Sequence, residues 1–226
     1  MSSTTSAKFL ESSIGKKLLM GLTGLFLISF LVVHATLNSF IFAMDGGVLF
    51  NQGALFMATN PIIRIIEIVL FIGLILHAVQ ALILSLANQK ARPVKYVVDG
   101  GKANSKWYAR SMGILGSLLL MFLVVHLSHF WIGTKEAQLN GTIHEHNTYN
   151  EIIEVFHNPM LVIVYLLGVI SLGYHLAHGF QSSFQTLGLN HPKYTPVIKK
   201  TGLCFSIIIT VVFASMPLAV LFGCVK

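Results

Sequence analysis

Four histidines lie deep inside long apolar segments, where ionisable side chains are rare. Residues 20–34 read MGLTGLFLISFLVVH and residues 112–126 read MGILGSLLLMFLVVH, so His34 and His126 occupy equivalent positions. His77 and His175 are equivalent in a second repeated segment, because each lies sixteen residues after the proline of an NP pair. Ionisable groups buried in a membrane are costly and are usually functional. The repeat therefore predicts one role shared by all four histidines.

Metal ligation is the chemistry that this pattern favours. A single buried histidine is explained more simply by a hydrogen bond to another helix. Two neutral imidazoles at one depth on facing helices are what a six-coordinate b-type haem requires, because they bind opposite sides of a flat macrocycle. Zinc or copper is less favoured, since no cysteine or carboxylate repeats with the histidines. No CxxCH motif occurs, so a covalent haem is not indicated.

Depth along the helices decides how the four histidines pair. His34 lies seventeen residues after Lys17, which is about 25 Å along a helix. The helix of His77 runs in the opposite direction and places His77 near the end from which the first helix starts. By the repeat, the sequence pairs His34 with His126 and His77 with His175. Two bis-histidine haems at two depths would transfer electrons and would not bind oxygen.

Glycines repeat beside these histidines as well. The two first-helix positions recur in the third helix, at Gly21, Gly24, Gly113 and Gly116. They either let a porphyrin lie against the backbone or let helices pack closely, and the sequence leaves both interpretations open.

Two further histidines lie one turn beyond the predicted ligands. His129 and His178 each follow one of them by three residues and share roughly its helix face. The repeat counterpart of His129 is Leu37, which cannot bind iron, so His126 and His175 are the predicted ligands. His129 and His178 are candidates for contacts with haem propionates or a quinone, and the alternative is ordinary packing.

Arg64 and Glu67 are charged residues within an apolar segment, three positions apart and about ten residues before His77. One interpretation is an ion pair within the helix. The functional interpretation makes Arg64 a propionate partner and Glu67 a proton carrier, because quinone chemistry moves two protons with two electrons.

Composition places the whole chain in a membrane. Of its 226 residues, 54% are hydrophobic and only 10% are charged, which excludes an ordinary soluble domain. We predict an all-α membrane protein forming one domain over residues 1–226, in which the first four of five helices form a haem-binding bundle. Each apolar segment is long enough to cross about 30 Å of hydrocarbon. The helices are expected at about 18–42, 62–87, 109–132, 160–181 and 198–222. The first is expected to be retained as a span and not cleaved as a signal peptide.

The basic residues predict how the helices are oriented. If five helices alternate in direction, 12 of the 15 basic residues fall on one side: Lys8, Lys16, Lys17, Lys90, Arg92, Lys95, Lys102, Lys106, Arg110, Lys193, Lys199 and Lys200. The positive-inside rule then puts the N-terminus in the cytoplasm and the C-terminus outside. Because topology accounts for the charge, nothing indicates nucleic-acid binding.

The outer segments and the fifth helix are predicted to be structural. Residues 134–158 are expected to be the longest irregular stretch, with a short interfacial helix at YNEIIEVF. His144 and His146 within it are expected to be solvated, with a divalent metal as the alternative. The fifth helix carries no histidine and is expected to pack against the others. Cys204 and Cys224 lie at its opposite ends, too far apart to form a disulfide.

The stretch from Tyr174 to Tyr194 reads YHLAHGFQSSFQTLGLNHPKY. With five predicted helices and one histidine in each of the first four, the chain resembles the single-subunit, di-haem cytochrome b membrane anchors of succinate dehydrogenase and fumarate reductase. The stretch itself is the most specific match. It is similar to the version found in menaquinone-using bacteria of the Bacteroides and Flavobacterium kind.

The resemblance implies a set of partners and a direction for the two haems. It makes His34 and His126 ligands of the haem distal from the soluble partners, and His77 and His175 ligands of the proximal one. It implies a flavoprotein that interconverts succinate and fumarate, and an iron-sulfur protein that docks on the cytoplasmic face. We expect the basic loop over residues 90–110 to contact the latter, the alternative being lipid headgroups alone. The quinone would be menaquinone, reacting near the distal haem in the bacterial cytoplasmic membrane.

Two other functions compete with this one. A cytochrome b anchor of a hydrogenase or a formate dehydrogenase would also carry paired histidines. A small transporter built on the internal repeat is less favoured, because the repeats are parallel and the sequence interrupts no helix with glycine or proline at mid-depth.

Overall fold

The computed structural model describes residues 12–90 and 106–226. Within these ranges all regular structure is helical. The helices are α1 (Ser13–Asn38), α2 (Val48–Thr59), α3 (Pro61–Lys90), α4 (Trp107–Arg110), α5 (Met112–His126), α6 (Ile132–Leu139), α7 (Thr148–His157), α8 (Pro159–Thr186) and α9 (Thr195–Leu221). Most of the basic loop predicted to contact an iron-sulfur protein, residues 91–105, lies outside the described residues, as do Lys8 and the rest of residues 1–11.

Five segments are long and apolar enough to cross a membrane: Ser13–Ala43, Pro61–Asn88, Met112–Leu139, Pro159–Thr186 and Thr195–Leu221. The prediction of an all-α membrane protein with five spanning helices is confirmed. The third segment differs most from its expected bounds of 109–132. After the π turn at Leu127–Trp131 the chain continues as the more polar helix α6.

Asparagine–proline pairs start two of the long helices. The Asn60 side chain accepts a hydrogen bond from the Ile62 backbone N–H, and the Asn158 side chain accepts one from that of Met160, both at 3.0 Å. Each asparagine thereby satisfies an N–H that would otherwise lack a partner at a helix start, and the following proline has no N–H to satisfy. The repeat is therefore visible in the helix caps as well as in the histidines.

The two repeats differ just beyond their first histidines. After His34, α1 soon ends and the chain tightens into a 3₁₀ turn at Ser39–Ala43. After His126, the chain widens into a π turn at Leu127–Trp131 and continues as α6. A π turn holds one more residue than an α turn, so α6 faces a different direction from the one that α5 alone would set.

Short helices cover one end of the bundle, which we call the capped end and define by α2, α6 and α7. The main apolar core lies here. Its buried members are Ile41, Phe50, Tyr149, Ile152, Phe156, Val162, Tyr165, Met216, Val220 and Val225. The opposite end, which we call the basic end, carries Lys16, Lys17, Lys90, Lys106, Arg110, Lys193, Lys199 and Lys200.

One expectation about the connecting segments is corrected and another is met. Residues 134–158 are not mostly irregular, since α6 reaches Leu139 and α7 begins at Thr148. The short helix expected at YNEIIEVF is present as α7, with Tyr149, Ile152 and Phe156 facing the core. Helix α2 was not predicted, because its apolar residues follow no clear helical or strand period before the next span.

The long helices α8 and α9 lie along each other, and glycines allow their close approach. An added Cβ at Gly202 of α9 would come 2.7 Å from the Phe180 ring of α8. On its other side α8 meets α5, where the Ser171 hydroxyl donates to the Leu115 carbonyl at 3.1 Å. Both cysteines are free, as their spacing predicted.

Gly168→Ala should destabilise the protein, because the added Cβ would overlap the Phe122 ring of α5. Overpacking of this kind costs about 1–3 kcal/mol. Gly113→Ala is the matched control, since nothing lies within 4 Å of its added Cβ. Thermal unfolding in detergent measures both, and equal midpoints for the two variants would contradict the prediction.

Candidate functional site

His34 of α1 and His126 of α5 lie together toward the capped end. Their ring centroids are 5.7 Å apart and their planes cross at 87°. The structure thus brings together the two histidines that sequence depth had paired. Their role as ligands stays a prediction.

Aromatic rings surround this first pair. Phe30 stacks on His34 with centroids 5.2 Å apart, and Phe122 stacks on His126 at 5.7 Å. Phe130 lies 5.5 Å from His126, and Phe213 lies 5.6 Å from His34. Phe213 belongs to α9, which is the fifth membrane-spanning helix. This helix therefore contributes a side chain here in addition to its packing. The setting is apolar, which suits a large flat cofactor and excludes water.

His77 of α3 and His175 of α8 form the second pair, with ring centroids 6.2 Å apart. Glycines of the other two helices lie beside them. An added Cβ at Gly24 would be 3.4 Å from His77 Cε1, and one at Gly116 would be 3.9 Å from His175 Cε1. Gly24 and Gly116, which are equivalent in the repeat, therefore each lie against one histidine of this pair, whereas Gly113 faces open space.

The two pairs occupy two levels of the same bundle. Gly24, which lies against His77, precedes His34 by ten residues on α1. Ten residues of α-helix rise about 15 Å. The second pair is therefore displaced from the first toward the basic end by about this distance.

The residues of each pair fit a bis-histidine haem. Two nitrogen–metal bonds of about 2 Å, with the half-width of each ring, separate two imidazole centres by about 6 Å. The observed separations of 5.7 and 6.2 Å are of this size. In the part of the chain that the structure describes, no three histidine, cysteine or acidic residues are grouped to hold a metal ion. A metal held by two imidazoles alone needs a macrocycle for its other positions.

The Nδ1 atoms of the four histidines have different surroundings. His77 Nδ1 lies 3.1 Å from Thr23 Oγ1, and His34 Nδ1 lies 3.3 Å from Asn38 Nδ2. The Nδ1 atoms of His126 and His175 are buried without a hydrogen-bond partner. No sequence pattern predicted a role for Thr23 or Asn38. Asn38 follows His34 by four residues and could have been noticed, whereas Thr23 is 54 residues from His77.

His129 lies in the π turn and contacts Tyr165 of α8. Its Nδ1 is 2.9 Å from the Tyr165 hydroxyl, and the two rings stack with centroids 5.8 Å apart. Tyr165 also lies 6.1 Å from the His126 ring. The π turn thus places His129 beside the first pair, and the pairing of His126 with His34 leaves His129 as a neighbour. His178 is half-buried one turn beyond His175.

Arg64 and Glu67 form the ion pair that their spacing suggested. Two further residues, for which the sequence predicted no such contact, bind the same carboxylate. Lys135 Nζ of α6 lies 2.6 Å from Glu67 Oε1, and Trp131 Nε1 donates to that oxygen at 2.8 Å. Lys135 also donates to Gln138, whose amide donates to the Ala58 carbonyl of α2 at 2.6 Å. We call Arg64, Glu67, Trp131 and Lys135 the charged clamp, because they join α3 to the α5–α6 segment.

Two other histidines lie in the segment between α6 and α7. His144 is exposed, as expected for a solvated segment. The same expectation is wrong for His146, whose side chain is mostly buried because its Nε2 faces Glu151 Oε1 of α7 at 3.4 Å. Burial raises the pKa of the Glu151 carboxyl, His146 opposes that shift, and nearby Glu154 adds to it. The alternative of a metal site here lacks support within the described ranges, where no ligand group is found.

Comparison with known proteins gives one informative likeness. The chain is 26% identical, over 196 residues, to the succinate dehydrogenase cytochrome b558 subunit of Bacillus subtilis (strain 168). This confirms the predicted resemblance. The alignment covers 86% of this chain and 88% of the Bacillus protein, so the likeness extends across nearly all of the membrane domain. No family model matches the chain, and no solved structure matches it significantly.

Proposed function

We propose that this chain is the membrane anchor and electron-transfer subunit of a succinate:quinone oxidoreductase. In this role it passes electrons between a cytoplasmic iron-sulfur subunit and menaquinone through two b haems. The observation that carries the proposal is the presence of two histidine pairs at two levels of one bundle. The likeness to a succinate dehydrogenase cytochrome b subunit supports it independently.

His34 and His126 would hold the distal haem, and His77 and His175 the proximal one. Bound haem would supply reversible one-electron transfer, and coordination by two imidazoles would prevent oxygen from binding. The chain's own residues hold the ligands, with Gly24 and Gly116 beside the proximal pair and four phenylalanines around the distal pair. These phenylalanines also keep water from the distal pair.

The soluble partners would bind at the basic end. A flavoprotein would carry the succinate–fumarate chemistry, since this chain has neither a cysteine cluster nor a flavin fingerprint. An iron-sulfur subunit would dock between the flavoprotein and the membrane. The charge distribution supports an N-terminus in the cytoplasm and a C-terminus outside, in a bacterial cytoplasmic membrane.

The quinone would react at the capped end, near the distal haem. Two haems along the bundle would carry electrons from one end to the other. If the soluble partners bind at the basic end, the quinone is therefore expected at the capped end. Glu67 is the candidate proton carrier, and Arg64, His129 and His178 are candidates for contacts with propionates or quinone. Of these, Arg64, Glu67 and His129 belong to the capped half of the bundle, whereas His178 follows a proximal ligand.

A dithionite-reduced spectrum of the purified complex, with quantification of extractable haem, tests the proposal. We expect two haem b per chain, and co-purification of a flavoprotein that oxidises succinate. A chain without haem would refute the electron-transfer role. Co-purification with a hydrogenase or formate dehydrogenase would keep the cytochrome and refute the succinate assignment.

A further inference from the structure

The second histidines of the two repeats, His77 and His175, have different neighbours at their ring Nδ1 atoms. Thr23 of α1 places its hydroxyl 3.1 Å from His77 Nδ1. At the equivalent position of the second repeat the residue is Leu115, which offers no polar atom. His175 Nδ1 is buried without a hydrogen-bond partner. Only one histidine of this pair therefore has a hydroxyl beside its ring nitrogen.

The direction of this hydrogen bond follows from the other contacts of Thr23. Its hydroxyl is 2.8 Å from the Leu19 carbonyl and 3.1 Å from that of Met20. Carbonyls only accept, and a hydroxyl has a single hydrogen but two lone pairs. The hydroxyl hydrogen therefore goes to the backbone, and Oγ1 accepts from His77. It follows that His77 carries its proton on Nδ1.

The tautomer decides which ring nitrogen can bind a metal. The Thr23 acceptor selects the form of His77 in which Nε2 has no hydrogen. That is the nitrogen left free to bind a metal ion.

Resting on the proposed function, we propose that Thr23 is a positioning residue for the proximal haem, which fixes the His77 tautomer and lowers the reduction potential of that haem. A ligand histidine that donates its second N–H becomes more basic, and a more basic ligand favours the higher oxidation state of the metal. Thr23 is well placed for this, since it is only 8% exposed. Water therefore competes little for the contact.

Thr23→Val keeps the shape of the side chain and removes the hydroxyl. In an optical redox titration of the complex, we expect the midpoint of one haem to rise and the other to stay unchanged. The His77 ring itself is unchanged in this variant, so the expected effect is a shift and not loss of haem. Up to a tenfold change in the ferric-to-ferrous ratio is expected, equivalent to about 59 mV for a one-electron couple.

Two matched variants separate the hydrogen bond from general packing. Thr23→Ser retains the hydroxyl and should return the midpoint toward that of the parent. Thr36→Val removes a hydroxyl of the same helix that bonds only to the Val32 carbonyl, and it should shift neither haem. If Thr23→Val does not assemble, Thr23→Ala replaces it with the same expected direction.

Unchanged midpoints in a Thr23→Val complex that holds both haems would overturn the inference and leave the proposed function standing. A shift in Thr23→Ser as large as that in Thr23→Val would also overturn it, because the hydroxyl would then not matter. A parent complex without haem would refute the proposed function itself, and this inference with it.

Discussion

Replacing His126 with alanine is expected to remove one of the two haems and leave the other bound. A haem held by two histidines would depend on both of them for retention, and His34 alone would supply only one of its two protein ligands. His34→Ala should therefore remove the same haem. Haem quantification and reduced-minus-oxidised spectra would show about half of the parental haem per chain.

Substitutions in the basic-end pair, His77 and His175, should have the opposite effect on the two haems. His77→Ala or His175→Ala should remove the proximal haem and keep the distal one, which is recognised by its own spectral band and midpoint. His129→Ala is the matched control, because it removes a half-buried imidazole three residues from His126 and should leave both haems in place. Retention of both haems in His126→Ala, with loss of one in His129→Ala, would reverse the assignment within that helix.

Glu67→Gln is expected to lower quinone-linked turnover by about 100-fold or more, which is the usual contribution of a positioned acid or base. Both haems should remain bound. Succinate oxidation with an artificial soluble acceptor should be unaffected, because electrons then leave before reaching the quinone. Turnover with a menaquinone analogue is the measurement.

The charged clamp supplies the control for this experiment. Glu67 binds Lys135 and Arg64, so Glu67→Gln weakens a link between helices as well as removing a carboxylate. Lys135→Met breaks the same link and keeps the carboxylate, and it should retain most of the turnover. Equal losses in the two variants would make Glu67 a structural residue, and a quinone bound beside His77 and His175 would contradict the capped-end site.

The sequence predicted well those features that depend on residues close to one another along the chain. Spanning helices follow from runs of apolar residues, and the starts of two of them follow from asparagine–proline pairs. The proximity of His34 to His126 and of His77 to His175 could also be predicted, because helix rise converts residue number into depth. The Arg64–Glu67 pair was visible as a spacing of three within one helix.

The contacts that the sequence could not predict depend on the tertiary arrangement. Lys135 and Trp131 reach Glu67 from more than sixty residues away, and their helix continues beyond the point where hydropathy falls. Thr23 is one of three positions at which a polar residue in one copy of the repeat corresponds to an apolar residue in the other, its counterpart being Leu115. The conversion of that difference into a histidine contact required the placement of α1 against α3.

The π turn after His126 separates two parts of one membrane segment. The part before the turn orients His126 and the part after it orients Lys135, so either orientation can change without the other. Successive residues of an α-helix are rotated by about 100°, so the extra residue of the turn resets the angular phase of everything beyond it. The face of α5 that presents His126 is fixed before the turn, and the face of α6 that presents Lys135 is fixed after it. Deletion of one residue in the turn would swing Lys135 away from Glu67 by about a quarter revolution, while His126 kept its orientation toward His34.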